Sequence, residues 1–408
     1  MIARRLTERL LAAMDDTPVV FLHGARQTGK STLARWLAGK GAGTKYITMD
    51  DVSVMSSAQQ DPSGFLADFH GRVVIDEVQR VPSLFLALKA EVDRRRQPGR
   101  FLLTGSANAL MVPHLSAALA GRMEVLTLWS FSQGEMAGRE KDFLERLVKG
   151  EKMASGPVDM SDLAVRMVTG GYPEAVERRN EDRRRVWFGS YVSTVLQRDI
   201  RELSRIEGLG DLPRLMGLLA ARSPGLLNVS DLSRSLGVPI TSLRRYLTLL
   251  EATFMVIALQ PWTSGRGLRV IRAPKMHLTD TGLASYLLNL SPAALAADPV
   301  RFGFLLESFV CMELIKQMSW SPRGFHPYHF RDSAGREVDI VIEDSSGSLW
   351  GIEVKSARTV RNEDFRGLRA LAVAAGRRFK RGVLLYGGKE HLPFGDGFEA
   401  IPLNAVWS

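Results

Sequence analysis

Eight consecutive residues, Gly24-Ala25-Arg26-Gln27-Thr28-Gly29-Lys30-Ser31, have the types and spacing of a loop that wraps phosphate. Its glycines let backbone N–H groups turn inward around phosphate oxygens. A helix starting at the loop adds the positive end of its dipole. Lys30 would reach the β- and γ-phosphates of a bound triphosphate, the Ser31 hydroxyl would ligate Mg²⁺, and Thr32 completes the binding candidates. Downstream, Val73-Val74-Ile75-Asp76-Glu77 reads as a buried strand ending in two carboxylates. Asp76 would hold Mg²⁺ through water, and Glu77 would polarise the attacking water as general base. In Leu103-Thr104-Gly105-Ser106-Ala107-Asn108, one of Thr104, Ser106 and Asn108 could sense the γ-phosphate; ordinary turn capping explains the same residues equally well.

A second group of chemistry-bearing residues lies near the C-terminus. Glu337-Val338-Asp339 and Glu353-Val354-Lys355 flank Asp344-Ser345-Ser346-Gly347-Ser348, a good hairpin loop. A hairpin centred on Ser346 sets Asp339 opposite Glu353 and Glu337 opposite Lys355. Strand alternation then brings Asp339, Glu353 and Lys355 to one face. Like charges that close repel unless a cation joins them, and Mg²⁺ with oxygen ligands would do so. Lys355 would hold the attacking water or the phosphate, and Glu307 on the preceding helix would complete the site. The alternative is a salt-bridged hairpin face with no metal.

These residues need elements to position them. Residues 19–22 read as a strand entering the phosphate loop and residues 31–38 as the helix leaving it. Further strands are expected at 45–49, 73–77, 100–108 (with a polar tip) and 124–128. Strands alternating with helices give a parallel sheet covered on both faces, with ligands at the carboxyl ends of its strands. Residues 130–201 read as mostly helical, broken at Gly150 and Gly170-Gly171. Next come a short helix at 231–236 capped by Ser230, a turn at Gly237-Val238-Pro239, and a second helix capped by Thr241 and running to about 251. Strand-like runs follow at 254–259 and 268–272, joined through Gly265-Arg266-Gly267. Helix, turn, helix, β-wing is the winged-helix plan, in which Arg244, Arg245, Arg266 and Arg269 would face DNA; such a module can equally dock a protein or act as a spacer. From residue 302 the order is helix, three strands, helix, strand.

Bulk properties narrow the classes. With 408 residues, two or three domains are expected. Cys311 is the only cysteine, which excludes an intrachain disulfide and suits a cytoplasmic location. No apolar run is long enough for a membrane span, and charges interrupt the start where a signal peptide would be apolar. The net charge of +10 favours nucleic acid as a partner. Arg94-Arg95-Arg96 and Arg183-Arg184-Arg185 read as solvated helix faces.

Residues 17–129 resemble the AAA+ ATPase superfamily through the phosphate loop, Asp76-Glu77, Leu103-Thr104-Gly105-Ser106 and Leu119-Ala120-Gly121-Arg122. The resemblance implies ATP and Mg²⁺ as cofactors, Arg122 as an arginine finger, and a homo-oligomer in which a neighbour supplies that arginine. The C-terminal element order, with Asp339, Glu353, Lys355 and Glu307, resembles the PD-(D/E)xK fold of restriction-endonuclease-like nucleases. Nearly the whole chain resembles bacterial and archaeal AAA+ ATPases with a winged helix and a nuclease-like C-terminal domain. Its landmarks are Tyr191 to Ile200, Lys275-Met276-His277-Leu278-Thr279-Asp280-Thr281-Gly282-Leu283 and Leu305-Leu306-Glu307. The expected architecture is α/β: a P-loop NTPase core over 1–129, a helical lid over 130–204, a winged helix over 205–295 and a nuclease-like domain over 296–408. Three functions fit it: an ATP hydrolase acting on DNA, an ATP-gated metal-dependent nuclease, and a nucleotide-switched protein that binds a protein partner.

Overall fold

The computed structural model describes residues 2–41, 43–106, 119–139, 142–153, 156–200, 209–265 and 273–408. Asn108, Arg266 and Arg269, and the strand expected at 268–272, lie outside the described residues. The chain divides into two compact units. One comprises Arg4–Phe131 with Leu249–Met255; the other comprises Ser132–Thr248 and Val256–Ser408 with the N-terminal Met1–Ala3.

The first unit is built on a five-stranded sheet of β1 (Val19–His23), β2 (Lys45–Thr48), β3 (Val73–Asp76), β4 (Phe101–Gly105) and β5 (Met123–Thr127). Its order is β2-β3-β4-β1-β5, and every pairing is parallel. β1, β3 and β4 are buried along their whole length, as their unbroken apolar runs require of strands covered on both faces. β2 is an edge strand, and its partly exposed Lys-Tyr-Ile-Thr sequence suits that place. In chain order β2 falls between the two motifs; in space the strand between β1 and β3 is β4. Val19, Phe21, Ile75, Leu88 and Leu103 are core residues on one side of this sheet.

The second unit holds two sheets. In the first, the helix Leu212–Arg222, β6 (Gly225–Leu226), the helices Val229–Leu236 and Ile240–Ala252 (the latter assigned to the first unit from Leu249 on), β7 (Val256–Leu259) and β8 (Lys275–Leu278) follow one another. The antiparallel order is β6-β8-β7. Asn228, not Ser230, caps the first helix of the predicted pair, accepting from Asp231 N at 3.0 Å. The second starts at Ile240, so Thr241, expected as its cap, lies inside its first turn. Leu243, Leu247 and Leu250 are buried along its length, while Arg244 and Arg245 are exposed.

The other sheet runs β13 (Leu392–Pro393), β14 (Phe398–Pro402), β12 (Phe379–Tyr386), β11 (Leu349–Lys355), β10 (Glu337–Glu343), β9 (His326–Arg331). The β10–β11 register pairs Ile340 with Ile352 and Val341 with Gly351, the register expected from a loop centred on Ser346. The helix Arg366–Ala375 packs on this sheet through Leu368 and Leu371. Gly367 allows that approach, since a Cβ there would lie 1.7 Å from the Glu337 carbonyl oxygen. The helix Pro299–Trp320 is buried on most of its faces. It also gathers residues from the segment expected as a lid. Gln133 N donates to Glu313 at 2.7 Å, Leu144 N donates to Gln317 at 3.0 Å, and Trp320 donates to Asp142 at 2.7 Å.

Candidate functional site

The carboxyl edge of the first sheet collects the phosphate loop and the acidic pair. The loop leaves β1 and delivers Lys30 as the first residue of the helix Lys30–Lys40. Gly24 and Gly29 have φ of +151° and +96°, which glycine adopts without a Cβ clash. At Gly24 that freedom is required, because a Cβ would sit 2.2 Å from the Leu128 carbonyl oxygen. Within the loop, the Lys30 ammonium donates to the carbonyls of Gly24 at 3.0 Å and Ala25 at 2.8 Å. Thr28 Oγ1 donates to the Ala25 carbonyl at 3.0 Å. Arg26 is half-buried and Gln27 exposed, the latter with φ of +63°; Thr32 points to solvent on the helix. Arg4, which the sequence did not single out, braces the loop by donating to the carbonyls of Thr28 at 2.7 Å and Trp129 at 2.6 Å.

Asp76 ends β3 and is 2% exposed. Three hydroxyls address its carboxylate. Ser31 donates to Oδ1 at 3.0 Å, Thr104 donates to the same oxygen, and Tyr46 donates to Oδ2 at 2.5 Å. Burial, and then the bond to Asp76, raise the Tyr46 phenol above its ordinary pKa, so it stays a donor. Tyr46 was not among the predicted residues. Its signal was strand parity, because β2 pairs Thr48 with Asp76 and therefore sets Tyr46 on the same face.

Glu77 follows with φ of +55°, a left-handed conformation uncommon outside glycine and typical of residues held for function. Its N–H donates to Thr104 Oγ1 at 3.2 Å, so one hydroxyl ties both members of the acidic pair. The Gln79 amide bridges Glu77 Oε2 and Ser106 Oγ, the latter at 3.1 Å. Thr104 and Ser106 therefore both touch the acidic pair or its tether. Beneath the loop, His23 bonds Thr127 Oγ1 at 2.8 Å and meets the Phe254 ring edge-on at 5.1 Å. Burial, and then the Lys30 charge, lower its pKa to about 3, so it is neutral at physiological pH.

Arg122 stands elsewhere. It precedes β5 at the amino end of the sheet and forms a two-pronged pair with Asp93, at 2.5 and 3.0 Å. It does not join the loop residues within its own chain.

The C-terminal cluster also forms. Asp339 accepts from Val354 N at 3.0 Å, and Lys355 pairs with Glu353 at 3.0 Å. Glu307 reaches the same place from the helix Pro299–Trp320. The arrangement contains one residue that the prediction lacked, Lys275 of β8. Its ammonium lies 2.9 Å from Glu307, 3.3 Å from Asp339 and 3.9 Å from Glu337. Burial works to lower the Lys275 pKa, but Asp339, Glu307 and Glu337 together raise it, so it remains charged. Among the described residues, no group of three or more His, Cys, Asp or Glu side chains is arranged to hold a metal ion. The Lys275 ammonium stands against Glu307 and Asp339, two of the carboxylates expected to hold Mg²⁺.

The all-parallel sheet, its strand order and the loop at its carboxyl edge define a P-loop nucleoside-triphosphatase fold. A family model for an AAA domain matches residues 16–137, and domains of unknown function (DUF8612 and DUF4143) match 160–294 and 302–406. The uncharacterized protein Rv2008c of Mycobacterium tuberculosis is 32% identical over 405 residues, covering 99% of this chain and 84% of that protein. Uncharacterized protein Mb2031c of Mycobacterium bovis matches with the same figures. The chain belongs to the family of these two mycobacterial proteins, with an AAA domain at its N-terminal end. A solved structure of RuvB from Thermotoga maritima is 16% identical, with a TM-score of 0.29 over 62% of this chain and 88% of that one. A likeness that slight says nothing about what this chain does. No helix among the described residues is long and apolar enough to cross a membrane.

Proposed function

We propose that this protein binds ATP with Mg²⁺ and hydrolyses it at the carboxyl edge of the first sheet. The observation that carries this reading is the ordered acidic pair: Asp76 held by Ser31, Thr104 and Tyr46, with Glu77 tied to Thr104 beside the phosphate loop. Ser31 and Asp76 offer hard oxygen donors to one place, the donor chemistry Mg²⁺ takes. Once bound, Mg²⁺ would neutralise charge on the β- and γ-phosphates. Lys30 would exchange the loop carbonyls for phosphate oxygens. Glu77 would accept a proton from the attacking water, with Gln79 and Ser106 fixing the direction of its carboxylate. For Arg122, a role as arginine finger would lie on a neighbouring copy's nucleotide, which makes a homo-oligomer part of the reading.

The protein would spend the hydrolysis on DNA. The helix, strand, helix, helix, strand, strand order of residues 212–278 supports a winged helix, with Arg244 and Arg245 exposed on its third helix. The net charge of +10 agrees with a polyanionic partner.

Turnover and nucleotide binding, measured on Glu77→Gln and Lys30→Ala, test the hydrolase reading. Glu77→Gln should keep ATP binding and lose turnover by about 10²-fold or more. Lys30→Ala should lose binding. Wild-type turnover in Glu77→Gln would refute the assignment.

A further inference from the structure

The carboxylates of the C-terminal cluster surround a side chain, and that side chain comes from a different sheet. Lys275 belongs to β8, whereas Glu307 lies on the helix Pro299–Trp320 and Glu337 and Asp339 lie on β10. The Lys275 side chain is 5% exposed, and its ammonium is within 4 Å of a carboxylate oxygen from each of Glu307, Asp339 and Glu337. Asp339 presents Oδ1 to Lys275 and uses Oδ2 for the Val354 amide, so both its oxygens are engaged. Glu353 gives Oε1 to Lys355, while its Oε2 is buried with no hydrogen-bond partner. A cluster whose carboxylates outnumber its lysines holds one orphaned carboxylate oxygen, and the orphan is the one Lys275 does not reach.

A divalent ion would need these same oxygens at about 2.0–2.6 Å. The ammonium already stands at hydrogen-bonding distance from the Glu307 and Asp339 oxygens that would form the shell. It supplies positive charge at those oxygens. Ion and ammonium are therefore mutually exclusive.

We propose that Lys275 is the resident cation of this site. It replaces the divalent ion, and the wild-type cluster takes no metal. This inference is independent of ATP hydrolysis at the first sheet.

The test counts bound Mn²⁺ on the nucleotide-free full chain, by electron paramagnetic resonance of the free ion, with melting temperature followed in parallel. Wild type and Asp339→Asn should bind the same number of Mn²⁺ ions up to about 1 mM. Lys275→Met should melt lower than wild type without metal, bind one more Mn²⁺ and recover its melting temperature on binding. The extra ion should disappear in Lys275→Met/Asp339→Asn. Wild type binding one more Mn²⁺ than Asp339→Asn would overturn the proposal, as would a folded Lys275→Met that gains none. If Lys275→Met does not fold, the count on wild type against Asp339→Asn and Glu353→Gln decides alone.

Discussion

Asp76 receives three hydroxyl hydrogen bonds, two at Oδ1 and one at Oδ2, so the cost of losing each can be measured separately. Tyr46→Phe removes the bond to Oδ2, together with the hydroxyl's interaction with Arg35, and otherwise keeps the ring. It should lower stability by about 1 kcal/mol and slow turnover several-fold, read by urea titration and steady-state hydrolysis. Unchanged turnover would mean that Tyr46 supports the fold alone. Gly24→Ala is the harsher change, with a Cβ aimed at the Leu128 carbonyl oxygen and an unfavourable φ. It should abolish nucleotide binding and destabilise the first unit by about 2 kcal/mol or more. The loop and the acidic pair were legible because their chemistry is written in contiguous residues. Tyr46, Arg4 and Lys275 were not, because each acts across the sequence, 30 residues from Asp76 in the case of Tyr46. Lys275 did stand within a recognised stretch, yet nothing in its neighbours announced three carboxylates from other elements. Arg184 shows the converse error. Its run reads as a solvated face, but its guanidinium donates to the carbonyls of Ala175 at 3.2 Å and Arg178 at 2.8 Å and is half-buried.

The elements were read with more success where a turn pinned them. Asp344 to Ser348 fixed the β10–β11 register because loop length and side-chain alternation leave one pairing. The two short strands β13 and β14 escaped prediction, since Leu392–Pro393 and Phe398–Pro402 lie in a stretch rich in glycine and proline. The helix Arg366–Ala375 was expected, but its dependence on Gly367 is visible only in the packing. Gly367→Ala should push that helix off β10 and cost several kcal/mol in a denaturant titration, where an ordinary exposed helical Gly→Ala would stabilise. The hairpin, β8 and the Pro299–Trp320 helix together also set a pH dependence. Burial first, and Asp339 second, push Glu307 and Glu353 from the ordinary 4.5 up to about 8. A carboxyl whose pKa is higher folded than unfolded binds its proton more tightly in the fold. Its stability contribution is therefore complete below about pH 4.5 and is lost as pH rises through about 8. Wild-type stability should fall across that window, and Glu307→Gln should flatten the fall; parallel slopes for the two proteins would contradict the assignment.

Over the whole molecule the balance of charge is +10, and where that charge is used depends on which arginines are already engaged. Arg94 pairs with Glu91, Arg122 with Asp93, Arg166 with Asp162, Arg178 with Glu174 and Arg336 with Asp332. Those charges are neutralised locally and add little to an external field. Arg244 and Arg245 stand on the helix Ile240–Ala252. They are exposed on a helix whose opposite stripe, Leu243, Leu247 and Leu250, is buried, so the fold fixes the face on which they stand. If that face meets the DNA backbone, each arginine releases about one counterion on binding, and the dependence of affinity on salt counts them. Arg244→Ala/Arg245→Ala should therefore weaken binding to duplexes of unrelated sequence alike, and make the slope of log K against log salt shallower by roughly 2. A fluorescence-anisotropy titration across a salt series measures both quantities. An unchanged slope would mean that this helix does not touch phosphate, and the DNA reading would then lose the surface on which it stands. ATP turnover in the same variant separates the two outcomes from general damage, because Lys30, Asp76 and Glu77 belong to the other compact unit and the double substitution leaves all three side chains intact.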